Sequence, residues 1–217
     1  MKKITEEEKR KLNIALNEAI LISVQICPYQ KVGTIILSIL SLCKDCSLPD
    51  DKRVQFTLKN VGRVVASKRL GRWNDQNAKI VKFKLQELPS IIEEFGESPI
   101  YGEEFFGDTN RDFQNWKDRL SLNWEEKNGG KTNSLFLFQD GGTKHLDLII
   151  WFDELNIETM DHNQISIEEF ISGNQRWFEA LKRGDKRALQ NGINPYEGDE
   201  ENENARTDQV PPEGHVE

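Results

Sequence analysis

Behind Thr5-Glu6-Glu7-Glu8, a capping-box pattern, apolar residues recur at Leu12, Leu16, Ala19, Ile20 and Val24, and Pro28 closes the run. That spacing predicts an N-terminal helix with one buried stripe. In Val32–Cys43 the polar residues Thr34, Ser38 and Ser41 fall four and three apart, which favours a second, largely buried helix. A core strand is the alternative that so short an apolar run leaves open. The polar stretch 45–52, which contains Pro49, reads as a connection.

The period then changes. Val54, Phe56 and Leu58 alternate with Gln55, Thr57 and Lys59, as in a half-buried strand. Asn60-Val61-Gly62 interrupts the alternation, Arg63–Leu70 forms a second strand, Gly71–Asn77 a loop, and Ile80–Leu85 a third strand. Leu88, Ile91, Ile92 and Phe95, with Pro89 at the start and Gly96 after the end, mark a short amphipathic helix. Residues 98–107 (SPIYGEEFFG) are an aromatic loop, and a short helix over 110–117 presents Phe113 and Trp116.

Strands near 119–126, 133–139 and 144–153 are separated by Asn128-Gly129-Gly130 and Asp140-Gly141-Gly142, both hairpin signals. With a three-residue loop at each turn, the even-numbered residues share one buried face. These are Leu120, Leu122, Trp124, Phe136, Phe138, Leu146, Leu148, Ile150 and Phe152. Ser166-Ile167-Glu168-Glu169 is a second capping box, opening a helix to Arg183. The pattern predicts an α+β class: an antiparallel sheet of about five or six strands, with a C-terminal three-stranded meander, packed by N- and C-terminal helices. It occupies one domain over 1–195, followed by a disordered acidic tail over 196–217 in which apolar residues are scarce.

Composition adds one feature, a charge imbalance. Residues 52–84 hold ten Lys and Arg against Asp75 alone, a net charge of +9 in a chain whose total is −8. That basic segment either folds against the chain's own acids or meets an acidic partner. The longest apolar stretch is too short to span a bilayer, and the first residues lack the apolar core of a signal peptide. Three cysteines are too few for a disulfide scaffold, so a cytoplasmic location is expected, with no membrane partner.

Candidate chemistry is sparse. His145 and Asp147 stand side by side on the odd face of the meander, with Asp153 further along. An imidazole beside a carboxylate suits a general base or a pair of metal ligands. No third ligand accompanies them at a standard spacing, so no metal and no cofactor is expected. Leu135, Leu137, Ile149 and Trp151 share that face and require cover from a helix or a partner. Cys43-Lys44-Asp45-Cys46 has redox or zinc spacing, but nothing completes a zinc set, and inert cysteines at a helix end are the plainer reading. Arg63, Lys68, Arg69 and Arg72 beside Trp73 could hold phosphates and stack a base. They could equally pair with Glu87, Glu93 or Glu94. Tyr101, Phe105 and Phe106 are either binding anchors or a plug over the core.

With no coherent catalytic set, the expected function is non-enzymatic binding or regulation through charge-complementary contact with a protein. The contact residues would be Arg63, Lys68, Arg69, Arg72, Trp73, Tyr101, Phe105 and Phe106. An enzymatic or metal-dependent site at His145 and Asp147 is the alternative, and nucleic-acid binding through 63–73 the third reading.

Overall fold

A computed structural model of the chain describes residues 3–44, 52–101, 105–107 and 110–189. Helix α1 spans Glu6–Ala15, and Thr5 caps it reciprocally with Glu8. The helix ends well before Pro28. Glu18, in the left-handed region at φ 63°, turns the chain, and Ile20–Cys27 is strand β1. A bulge between Leu21 and Ser23 explains the misleading periodicity. It puts Leu21 and Val24 on one buried face, so an i, i+3 spacing arises within a strand.

Val32–Ser38 is strand β2, the alternative to the expected second helix. Its partner β1 buries the same face, pairing Val24 with Ile35 and Leu21 with Leu37. Strands β3 (Arg53–Lys59) and β4 (Arg63–Leu70) follow. The third expected strand shrinks to β5 (Lys79–Ile80), and a 3₁₀ turn at Leu85–Glu87 leads into α2 (Leu88–Glu93). Next come β6 (Ile100–Tyr101), α3 (Asn110–Trp116) and β7 (Leu122–Glu125). Strands β8 (Asn133–Asp140), β9 (Lys144–Phe152), β10 (Glu154–Thr159) and β11 (Gln164–Ile165) complete the strands. Helix α4 (Ile167–Lys182) starts at the Ser166 cap, and α5 (Lys186–Leu189) follows Gly184. The expected tail, 196–217, lies outside the described residues.

The strands form two antiparallel sheets. One has the order β1-β2-β3-β10-β11, the other β5-β4-β9-β8-β6, with β7 also beside β4. The sheets share two long strands that bend from one into the other, β3 into β4 and β9 into β10. At the bend three residues, 60–62, stand opposite two, 152–153. Asn60 absorbs the extra residue with φ 52°. Asp153 braces it, its carboxylate accepting from Asn60 Nδ2 (2.6 Å), Thr132 Oγ1 (2.8 Å) and Thr132 N (3.2 Å). The inner faces of both sheets join one core with α1 and α4, in which Phe56, Leu58, Leu148, Phe152 and Phe170 are buried.

The class is therefore α+β, but the meander is corrected. β7 does not pair with β8; it lies beside β4, with Leu122 opposite Ala66 and Trp124 opposite Val64. The turn between β8 and β9 holds four residues, closing at Asp140 opposite His145. One residue more than expected inverts β8, so Leu135 and Leu137 face the core beside Ile150 and Leu148. Phe136 and Phe138 project from the other side.

After β2 the chain runs on as a strap rather than a helix. Leu42 N donates to Gly173 O (3.0 Å) on α4, while Asn174 and Arg176 donate to the carbonyls of Leu40 and Leu42. Gly173 permits this approach, since a Cβ there would lie 2.3 Å from Ser41 Oγ. The expected helix-end setting of Cys43 is thus replaced by this strap. Cys43 is disulfide-bonded, Cys27 is free, and Cys46 lies outside the described residues.

Candidate functional site

The outer face of the six-stranded sheet brings together the candidates Arg63, Arg69, His145 and Asp147. Because opposed residues of antiparallel strands share a face, the β4–β9–β8 register lays down four rows. They read Arg63–Trp151–Ser134, Val65–Ile149–Phe136, Ser67–Asp147–Phe138 and Arg69–His145–Asp140. The first two rows are apolar apart from Arg63 and Ser134, and α3 covers them. Phe113 and Trp116 pack on Val65, Ile149, Phe136 and Trp151, giving Ile149 and Trp151 their internal cover. The Arg63 guanidinium lies over the rings of Phe113 (5.0 Å) and Trp151 (5.3 Å) and donates to Asn123.

The last two rows are polar apart from Phe138, and their Ser67, Asp147, Arg69 and His145 are buried. Arg69 forms a buried ion pair with Asp147. Ser67 Oγ donates to Arg119 O (2.6 Å), and Arg119 reaches on to Gln76 O (3.0 Å). His145 is fully buried, and its Nδ1 lies 3.2 Å from Gly71 O. A carbonyl can only accept, so Nδ1 carries the proton and Nε2 keeps the lone pair. That Nε2 has no partner, nor does Arg69 Nε opposite. Burial, followed by the neighbouring Arg69 charge, lowers the His145 pKa below its ordinary value. The imidazole is neutral, oriented and closed off from solvent.

Asp153 takes no part in this cluster; it braces the sheet bend at the other end of β9. Burial alone would raise its pKa, but donors from Thr132 and Asn60 outweigh that and lower it. Among the described residues no group of three His, Cys, Asp or Glu side chains is placed to hold a metal ion.

The basic segment divides in two. Lys68 is buried, and its ammonium sits 2.6 Å from both Glu94 oxygens, so the Glu94 pairing expected across strands is made instead to the end of α2. Lys144 reaches the same carboxylate at 3.5 Å, and the hydrogen bond from Lys68 keeps the Glu94 pKa low. Arg69, as above, is equally internal. Arg72 and Trp73, by contrast, project from the 71–77 loop, and Trp73 is 63% exposed. Two turns shape that loop: Asp75 N donates to Arg72 O (2.9 Å), and Asn77 N to Asp75 Oδ1 (2.8 Å). Lys79, Lys82 and Lys84 are exposed beyond it.

In the aromatic loop Tyr101 is exposed, while Phe105 and Phe106 are fully buried and form the plug. Phe105 O accepts from Phe136 N (2.8 Å), and Asn13 clasps the Phe106 backbone through both amide atoms. Sequence reasoning missed half-buried Asn13, and buried Ser67 and Ser121, as polar ties, the last through Ser121 Oγ, which accepts from Lys68 N (2.7 Å) and donates to Lys68 O (3.1 Å). Each is a short side chain bonded to backbone, which leaves no periodic signal.

No protein-family model matches the chain, and neither a curated protein nor a solved structure matches it significantly. No helix among the described residues is long and apolar enough to cross a membrane.

Proposed function

We propose that this is a non-enzymatic binding protein that docks an acidic protein surface through the exposed part of its basic segment. The observation that carries this reading is Trp73, 63% exposed on a hydrogen-bonded loop beside Arg72, with Lys79, Lys82 and Lys84 exposed in the same segment. Among the described residues none of these four cations is in an ion pair. The basic residues the fold needs, Lys68 and Arg69, are neutralised inside it. Exposed cations without an ion-pair partner, in the same segment as a wet indole, suit recognition, since Trp and Arg dominate binding hot spots. Tyr101 belongs to the sheet edge and has no assigned role in this contact.

The test is capture from native lysate at low salt by wild-type protein and by the Arg72→Glu, Trp73→Ala variant. A protein retained only by wild type, and released as salt rises, supports the reading, because screening lengths fall to about 8 Å at physiological strength. Equal capture by both overturns it. Loss of capture after nuclease treatment would move the assignment to nucleic acid.

A further inference from the structure

We propose that His145 is the positioning residue of the Arg72–Trp73 surface: its neutral imidazole holds the base of the loop that presents both side chains, and a second ring proton releases it. This role rests on the reading of that loop as the binding surface, while its test needs no partner. The loop leaves β4 at Gly71, whose φ of 142° few residues other than glycine adopt. Both backbone polar groups of that hinge are tied down. Its N–H donates to Thr143 O (2.8 Å), and its carbonyl accepts from His145 Nδ1 (3.2 Å). Arg72 comes directly next, so these two bonds set the direction in which Arg72 and Trp73 project.

The hinge is also tight, since a Cβ on Gly71 would lie 3.0 Å from Ala78 Cβ on the returning chain. Further round, Arg119 holds Gln76 O (3.0 Å). Of these three ties, only the one from His145 comes from a group that titrates near neutrality.

The charges around the ring make that tie sensitive to acid. Arg69 on β4 stands directly opposite, Asp140 on β8 flanks the other side, Asp147 follows on β9, and Arg119 acts from residues 117–119. Asp147 is already held by Arg69, and Asp140 Oδ1 accepts from Gly142 N (2.8 Å). A proton added at Nε2 creates a fully buried N–H that has no partner, on a cation beside a guanidinium. Burial and the Arg69 charge oppose it more than the Gly71 carbonyl and Asp140 favour it. Relief comes from water. The neighbours on β4 and β8 are fixed in the sheet, whereas the exposed 71–77 loop, which meets the ring at Gly71, is the segment able to open. Acid therefore loosens the loop and weakens binding, and a bound partner in turn holds the proton off, because linkage is reciprocal.

The experiment joins an NMR titration of the His145 ring to amide hydrogen exchange on the full chain, between about pH 7.5 and about pH 5, with rates corrected for intrinsic pH dependence. Once His145 is protonated, wild type should exchange about five- to tenfold faster at Gly71 and Asp75, the weight of one net hydrogen bond. His145→Asn keeps a donor near the Nδ1 position and cannot be protonated, so its loop should stay protected throughout. His145→Leu has no donor, and its loop should exchange fast throughout. Amides of β4 and β9 control for folding. A ring that stays neutral across the range, a loop unchanged while the ring titrates, either variant behaving otherwise, or faster exchange shared by β4 and β9 would each overturn the proposal. Equal capture of partner by wild type and the Arg72→Glu, Trp73→Ala variant would sink the binding reading alone and leave the exchange results standing.

Discussion

The Arg69–Asp147 pair offers the sharpest test of how the outer sheet face is held. Both residues are about 95% buried, 5% and 6% exposed, and the imidazole opposite Arg69 is neutral and lends no negative charge. Asp147→Leu would leave the guanidinium buried without its carboxylate, with its Nε already unpartnered. Removing one partner of a buried pair costs about 3–5 kcal/mol, a large part of a typical domain stability of about 5–15 kcal/mol. Arg69→Met removes the ion-pair partner of the buried carboxylate and should also destabilise the fold. The double variant Arg69→Met, Asp147→Leu removes both desolvated charges and fills the space with aliphatic side chains. It should be neutral, or more stable by about 1–4 kcal/mol. Urea unfolding followed by tryptophan fluorescence gives the midpoint and slope for each of the four proteins, and the cycle gives the coupling. Single variants each costing under about 1 kcal/mol, or effects additive within about 0.5 kcal/mol, would refute the claim that the two charges are sealed together.

Protonation of His145 is disfavoured in the fold, so the unfolded chain binds more protons just below pH 6.5; stability should fall as pH drops through that range. His145→Gln should flatten that part of a urea-midpoint profile. The Asp153 contribution is lost only below its ordinary value of 3.8, so the two are separable. Gly130→Ala would set a Cβ 2.2 Å from the Asp153 carboxyl carbon and force the braced bend apart. Thermal denaturation should show a drop larger than the few tenths of a kcal/mol of an ordinary surface change. Phe56→Ala, at a fully buried ring packed edge-on against Phe170 (5.5 Å), should cost about 3–5 kcal/mol. Phe136→Ala, half-buried under α3, should cost measurably less in the same urea assay.

Local signals were enough to place several elements from residues alone. The capping-box patterns at Thr5 and Ser166 both mark helix starts, Thr5 through the reciprocal bond with Glu8 and Ser166 by accepting from Glu169 N alone, because a side-chain oxygen can satisfy a nearby N–H within one turn. The alternation at Val54, Phe56 and Leu58 places β3, and Asn60-Val61-Gly62 marks the bend. Charge count alone raised the question of where the basic segment goes. Candidate residues were legible as types, and His145 and Asp147 do share a face.

What those residues do was decided by pairing between distant strands. Arg69 meets Asp147 across 78 positions only because β4 lies beside β9, and no local pattern carries that neighbour relation. The facing of β8 turned on a single residue in the 141–144 turn, since side chains alternate with a period of two and loop length sets their parity. β1 looked helical because one bulge restored a three-residue spacing on its buried face. Periodicity reports which residues share a side of an element. Register, bulges and the choice of neighbouring strand depend on long-range burial, and only the folded sheets settle them.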